Sequence, residues 1–390
     1  MSNLSPDRHA FLNAFRAAAA LWVLIAHCMI WGGAHLFPLP NPKIAVDLFM
    51  LLSGYLMVMQ SVKRAAVEPL STARNRHRFW VRRFFRLAPA YYVSLILVVA
   101  VGNLFLAGYR ELYLLHPQLS RIEAYDPANI EYTLENVAWH VTFLFGFHPH
   151  WSFSTFLPDW SLSLEMQFYL AFPLLFLLWG RVGPVAGAAI GVALAYGART
   201  WLVAEQAFPE PSFLGFKLVY FMAGMLVCHA VEDLRRSLVW RLLLILFAVI
   251  IVPLDASYGP YDKYLGRLLV LSLAIAAAAS IAYKLPVLLQ RFANSRAVAF
   301  ASDTSYGVYL FHGFFISLSG LIIGSLPDLK DASAPFRTVV ILLFVIPSSY
   351  VIGYVVHRWI ELPGIEFGKT WMDKNLPSRP EPALADPAKT

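Results

Sequence analysis

Long apolar runs alternate with short polar connections along this chain, and the runs set its architecture. They fall near 11–31, 44–62, 84–107, 160–179, 183–203, 214–231, 238–254, 264–284, 299–323 and 336–358. A helix crossing a hydrocarbon core of about 30 Å takes roughly 20 residues, the length of these runs. The pattern therefore predicts an all-α, polytopic membrane bundle of about ten transmembrane helices. A further apolar piece, VAWHVTFLFGFHPH at 137–150, is shorter and ends in His-Pro-His. It is expected to be re-entrant or interfacial, with an eleventh span as the alternative.

The connections carry the orientation. Lys63, Arg64, Arg74, Arg76, Arg78, Arg82 and Arg83 lie between the second and third runs. Arg181, then Arg235, Arg236 and Arg241, then Lys284, Arg291 and Arg296 follow the fourth, sixth and eighth. The connection over 108–136 is acidic, with Glu111, Glu123, Asp126, Glu131 and Glu135. By the positive-inside rule, ten spans put every basic connection and both termini in the cytoplasm. An eleventh span would invert the later ones. The first run is too long for a cleavable signal peptide and carries Arg16 and His27. The domain reading is a membrane domain over 1–365 and a cytoplasmic, Pro-rich, disordered tail over 366–390.

Composition sharpens the class. Of 390 residues, 58% are hydrophobic and only 14% charged, against about 25% charged in globular chains. A soluble core could not bury that much apolar surface. The net charge of +7 is accounted for by topology and contact with anionic lipid headgroups, so membrane lipid is an expected partner and nucleic acid is not. Cys28 and Cys228 both lie inside apolar runs, where they read as small hydrophobes. No spacing of metal ligands, phosphate-cradling glycine loop or nucleophile elbow occurs, and no metal is expected.

Ionisable residues inside the runs are the candidate chemistry, because charge at membrane depth is costly and usually faces a bundle interior or a wet cavity. Arg16 and His27 share the first run, eleven residues apart. At about 100° per residue that is within about 20° of three full turns, so both lie on one helix face, roughly 16 Å apart. Asp47 opens the second run and Glu165 the fourth, which places both at the depth of His27 in the outer leaflet. An imidazole near two carboxylates can be oriented by one of them and act as a general base; a structural polar cluster stitching helices together is the other reading. In the ninth run, Ser305, Tyr309 and His312 fall on one helical face and either line a tunnel or hydrogen-bond across an interface. Arg82, Arg83 and Arg86 stand at the cytoplasmic entry to the third run. Their planar forks suit phosphate; topology and lipid anchoring are the alternative.

In order along the chain, these residues match short motifs of one family. Arg16 and His27 match an Arg and a His with ten residues between. AVDLFMLLSGYLM, with Asp47, Phe49, Ser53 and Gly54, matches a second-span motif, and VRRFFRLAPAYY an Arg-rich entry to the third span. Trp160 to Glu165 match Trp-Ser-Leu-Ser-x-Glu, and Ser305, Tyr306, Tyr309, Leu310 and His312 match Ser-Tyr-x-x-Tyr-Leu-x-His. Glu361 and Pro363 match a terminal Glu-x-Pro. The chain thus resembles acyltransferase family 3, ten-span membrane enzymes that acylate carbohydrates. It departs from the family at Asn13, Ala14 and Ala17, where Asp, Gly and Gly are frequent around the arginine, and at Met166, where a second Glu is frequent. The chain is expected to be the stand-alone form, with no esterase-like domain appended.

The resemblance implies a multi-pass protein of the inner cell membrane that moves an acyl group, with acetyl the expected one, from cytoplasmic acyl-CoA as co-substrate to a hydroxyl of an extracytoplasmic carbohydrate or glycolipid. On that reading Arg16, Arg82, Arg83 and Arg86 hold the donor's phosphates. His27 is the general base, oriented by Glu165 or Asp47, and Ser161, Ser305, Tyr306, Tyr309 and His312 line the tunnel or meet the acceptor. Glu165 binding the acceptor and His312 serving as a second acid–base group stay open, as does a covalent acyl-enzyme. The rival class is a proton-coupled transporter or flippase of a polysaccharide precursor, with the His and carboxylates as a proton relay.

Overall fold

A computed structural model describes residues 9–34, 41–115, 130, 132–202, 207–255, 260–282 and 286–376. Lys284, Glu123, Asp126 and Glu131 of the charge pattern, and 377–390 of the expected tail, lie outside them. No strand occurs among the described residues.

The apolar runs become helices. They are α1 (Ala10–Gly32), α2 (Pro42–Arg64), α3 (Ala73–Leu115), α5 (Trp160–Val182), α6 (Pro184–Gly197), α7 (Leu214–Glu232), α8 (Leu238–Ile251), α9 (Pro260–Ile281), α12 (Ser305–Ser325) and α14 (Ala334–Val356). Among the described residues, eight helices are long and apolar enough to cross a membrane. The two others expected, over 183–203 and 238–254, are the fourteen-residue helices α6 and α8, each lengthened by an irregular turn: a π turn over Ala198–Leu202 and a 3-10 turn over Val252–Leu254.

Three runs are organised differently from a single straight span. Helix α3 begins eleven residues before its apolar run and extends over 43 residues, with a kink at Val101, so the arginines expected in a connection stand on helical turns. The run over 299–323 divides at Thr304, between the short α11 (Arg296–Asp303), which follows the seven-residue α10 (Val287–Ala293), and α12; the four-residue α13 (Pro327–Lys330) comes next. Helix α14 passes through a π turn over His357–Glu361 into α15 (Leu362–Asn375). Residues 366–375, placed in the tail by composition, are therefore helical. The 137–150 piece folds as the eight-residue α4 (Leu134–Val141) and a 3-10 turn over Leu144–Phe147. At about 1.5 Å per residue neither piece can cross. The turn packs inward instead, the Ser163 hydroxyl donating to the Phe143 carbonyl (2.9 Å) and the Ser212 hydroxyl to the Gly146 carbonyl (3.2 Å).

Helix α7 is buried on nearly all sides and packs closely against α2. Lipid offers apolar side chains no less than the bundle does, so membrane helices associate through small residues that let backbones touch. Gly54 of α2 and Gly224 of α7 do this reciprocally. A Cβ at Gly54 would lie 1.9 Å from the Phe221 carbonyl oxygen, and one at Gly224 would lie 1.9 Å from that of Leu51. Gly54→Ala is expected to cost about 3 kcal/mol or more, since both obstacles are helix backbone and cannot rotate away. The measurement is the thermal unfolding midpoint in detergent; an unchanged midpoint would show that the helices separate freely here.

Candidate functional site

The basic face of α3 repeats every turn, with Arg78, Arg82 and Arg86 in line and Arg83 beside them. Together with Arg64 at the end of α2 and Lys369 of α15, they line a cavity of about 400 Å³. Only two carboxylates, Glu68 and Asp373, face the same space. Glu68 lies in the connection between α2 and α3, with one oxygen 2.7 Å from Arg78 Nε and the other 2.8 Å from Arg82 Nη1 and 3.3 Å from Arg64 Nη1. Burial pushes its carboxyl pKa up, but Arg82, Arg78 and Arg64 outweigh that and hold it below the usual carboxylate range. Arg78 also donates to the Met372 carbonyl (3.4 Å) and pairs with Asp373 (3.3 Å). It fastens α15 to α3.

A second cavity, of about 340 Å³, runs deeper between α1, α2, α3, α5 and α12. Gln60, Arg83 and Arg86 line both, so the two adjoin. Around the second stand Arg16, Arg83, Arg86, Ser161, Glu165, Ser305, Tyr306 and Tyr309. Four elements thus bring eight of the twelve candidate residues to one space.

Within it the polar atoms are paired in sequence. Arg83 reaches the Gln60 amide oxygen and lies over the rings of Phe79 and Tyr169, each 5.5 Å from the guanidinium carbon. Tyr169 donates its hydroxyl to Glu165, and the Ser53 hydroxyl donates to the same oxygen at 3.0 Å. Arg86 pairs with the buried Glu361 at 3.4 Å. Arg16 donates to the Ser305 hydroxyl (3.5 Å), which itself donates to the Ser302 carbonyl (2.7 Å). Tyr306 donates to the Leu87 carbonyl (2.8 Å), and the Ser161 and Tyr309 hydroxyls are 2.7 Å apart. Asn13, at the departure from the family pattern, accepts from Ser302 at 3.3 Å.

Beyond Tyr309 stand the two histidines. The His312 ring lies 6.2 Å from Tyr309 and 5.0 Å from His27, and its Nε2 is 3.2 Å from His27 Nδ1. The tautomers follow from the carbonyls, which only accept. His312 Nδ1 is 2.8 Å from the Tyr309 carbonyl oxygen, so it carries the proton and Nε2 has the lone pair. His27 Nδ1 is 2.9 Å from the Val23 carbonyl oxygen, so it too is protonated and its N–H is shared with His312 Nε2. His27 Nε2 then carries the ring's lone pair, the form a general base requires. The one-face stripes read on α1 and α12 thus meet each other, Arg16 against Ser305 and His27 against His312.

The expected layer of His27, Asp47 and Glu165 does not assemble as one cluster. Asp47 is buried 3.2 Å from Lys217 Nζ of α7, and Lys217 is also 2.6 Å from Asp255. Asp47 therefore has a counter-cation of its own. Glu165 is engaged by Ser53 and Tyr169, and the imidazole facing His27 is that of His312. Equal depth on three helices does not fix the direction in which each side chain points. Arg82 lines only the outer arginine cavity, paired with Glu68.

Sequence reading passed over several residues here. Lys217 and Asp255 sit in or beside apolar runs and met the same criterion of costly charge that singled out Asp47. Glu68 is hidden among the basic residues around it. His140 and Asp159 are both buried with Nε2 and Oδ2 3.5 Å apart, and Asp159 accepts from Tyr91 (3.1 Å) and Thr155 (3.3 Å). It braces the start of α5, next to Ser161. Both cysteines are free and buried. No group of three or more metal-ligating side chains occurs among the described residues.

Fold and site define a multi-pass helical membrane protein with an arginine-lined cavity adjoining a deeper polar one. The chain belongs to the family whose model is described as an acyltransferase domain, which matches residues 9–358. It is 25% identical to the peptidoglycan O-acetyltransferase OatA of Listeria monocytogenes over 368 residues, covering 85% of this chain and 53% of that protein. It is 24% identical to a putative O-acetyltransferase of Staphylococcus aureus over 379 residues, 90% of this chain and 56% of that one. Nodulation protein 10 of Rhizobium leguminosarum bv. viciae is 25% identical over 330 residues, 77% and 81% of the two chains. The chain spans about half the length of the first two. No solved structure matches.

Proposed function

We propose that the protein transfers an acyl group from acyl-CoA to a hydroxyl of a carbohydrate on the far side of the membrane; the names of its relatives, O-acetyltransferases and in one case of peptidoglycan, support acetyl as the group and a carbohydrate as the acceptor. The observation that carries this reading is the pair of adjoining cavities joined at Gln60, Arg83 and Arg86. The arginine-lined one suits the phosphates of a nucleotide donor entering from the cytoplasm, the side on which the positive-inside rule expects basic connections. The deeper one suits the pantetheine arm, with apolar walls from Phe49, Leu52, Leu56 and Met57 and hydroxyls at intervals.

In this mechanism His27 Nε2 takes the proton from the acceptor hydroxyl as its oxygen attacks the thioester carbonyl. The carbon–sulfur bond breaks, and the departing thiolate recovers the proton from the His27 imidazolium. His312 Nε2 accepts from His27 Nδ1–H, holding the ring and stabilising its positive charge, the role that the family resemblance gives to Glu165 or Asp47. The Tyr309 and Ser161 hydroxyls, 2.7 Å apart in the deeper cavity, are the donors assigned to the developing oxyanion. Glu165 keeps Arg16, Arg83 and Arg86 company across the cavity and fixes Tyr169 and Ser53.

Arg83→Ala tests the donor path. It is expected to raise the KM for acetyl-CoA by about tenfold or more, one charged contact to phosphate being about 1.5–3 kcal/mol. Unchanged donor affinity in a folded Arg83→Ala protein would sink the assignment. Acyl incorporation into surface glycans, followed by mass spectrometry, identifies the acceptor and separates transfer from solute transport.

A further inference from the structure

We propose that Glu68 is a resident counter-anion of the arginine cavity, displaced from Arg82 and Arg64 by the phosphomonoester of the donor, and so a determinant of which anions enter. The inference rests on the reading of that cavity as the donor's phosphate site.

Arginines on successive turns of α3, facing Arg64 across a small cavity, repel one another when nothing lies between them. Glu68 lies between them, held by Arg64, Arg78 and Arg82 at 3.3, 2.7 and 2.8 Å. It is 8% exposed, and the guanidinium groups keep it ionised at neutral pH. Its three partners are not equivalent. Arg78 has other fixed acceptors, in Asp373 and the end of α15, and stays where it is without Glu68. Arg82 and Arg64 pair with Glu68, and Arg64 is about half exposed. These two are the cations that an incoming anion can take over.

A carboxylate brings one negative charge and two oxygens. A phosphomonoester brings nearly two charges and three oxygens, and guanidinium forks bind it in the same planar geometry. It can therefore replace Glu68 on Arg82 and Arg64, leaving the carboxylate on Arg78. A singly charged phosphodiester or carboxylate gains little by the same exchange. Glu68 thus keeps off Arg82 and Arg64 any anion too weakly charged to displace it, and the phosphomonoester that does displace it binds less tightly by the cost of the exchange. The surplus of cations, six against two carboxylates around this cavity, leaves Arg83 and Arg86 for the remaining phosphates.

The test is equilibrium binding of CoA and of dephospho-CoA, which lacks the phosphomonoester, to the full chain. Nanodiscs of phosphatidylcholine alone supply no lipid phosphomonoester, and a parallel set containing phosphatidic acid shows whether a lipid headgroup takes the site instead. Glu68→Gln is expected to bind CoA about tenfold more tightly than the unaltered protein. Dephospho-CoA, which has no phosphomonoester to displace Glu68, is expected to gain by a smaller factor, so that the preference for CoA widens. Unchanged or weaker CoA binding by folded Glu68→Gln protein overturns the proposal. So does a competing loss of CoA binding in phosphatidic acid discs, which would assign the site to lipid. Should Glu68→Gln not fold, Glu68→Asp, one methylene too short to hold Arg78 and Arg82 together, is expected to tighten binding about threefold, with no tightening as the contrary result. An unaltered protein that binds no CoA at all refutes the donor reading itself, an outcome distinct from these.

Discussion

His27→Ala protein, expressed at normal levels, is expected to lose acyl transfer by about 10²–10⁴-fold while still binding CoA. The expectation rests on the tautomer. With Nδ1–H committed to the Val23 carbonyl and His312, Nε2 is the basic nitrogen, and alanine removes it without touching either cavity's lining. CoA binding by the arginines should therefore persist, splitting turnover from donor affinity. His312→Ala should lose less, because the base remains and only its orientation and the stabilisation of its imidazolium go. A His27→Ala protein with full activity would refute the role, and equal donor and turnover losses would point to a collapsed site. Trapping a labelled acyl group on the protein in the absence of acceptor would replace direct transfer by a covalent route.

The second large effect concerns stability. Lys217→Met is expected to destabilise the bundle by about 3–5 kcal/mol, the cost of breaking a buried ion pair from one side. Lys217 is fully buried between Asp47 and Asp255, at 3.2 and 2.6 Å. Methionine fills the space but leaves two carboxylates facing one another in a medium that cannot solvate them. Adding Asp47→Asn and Asp255→Asn to Lys217→Met should recover most of the loss, since replacing a whole buried ionic cluster by neutral groups is often close to neutral. Unfolding midpoints in detergent measure both. A single variant as stable as the unaltered protein would show that water or another cation reaches the site. The same set decides what Asp47 does. If the triple variant is stable and transfers acyl groups, Asp47 is structural; if it is stable and inactive, the carboxylate belongs to the chemistry after all.

The consequence reaches the site through α2. Asp47 lies less than two turns before Ser53, whose hydroxyl holds Glu165, and Gly54 next to it sets the contact with α7. The ion triad at Asp47, and the Ser53–Glu165 bond with the glycine contact beside it, thus pin one helix at two heights. Disturbing any of them shifts the cavity wall.

How much of this was legible in the chain differs from residue to residue. The helices were, because a run of about 20 apolar residues has few other ways to satisfy its backbone in lipid. The failure of 137–150 to span was legible from its length. So were the polar faces of α1 and α12, since a helix's 3.6-residue period depends on nothing outside it. Those faces placed Arg16 with His27 and Ser305 with Tyr309 and His312, and the cavity contains most of them. Partnership was not legible. Periodicity says which residues share a face and hydropathy says how deep they lie, but neither says toward which neighbour the face turns. Only the packing of α2 on α7, set by Gly54 and Gly224, turned Asp47 to Lys217 and away from His27, and only the approach of α1 to α12 brought His312 to the base. Glu68 became visible as a counter-ion once the chain folded it back among the arginines that follow it. The sequence by itself determined the membrane bundle and the residues whose charge needed explaining; the tertiary structure decided which of those charges answer one another, because that depends on helix rotation, a quantity no single helix contains.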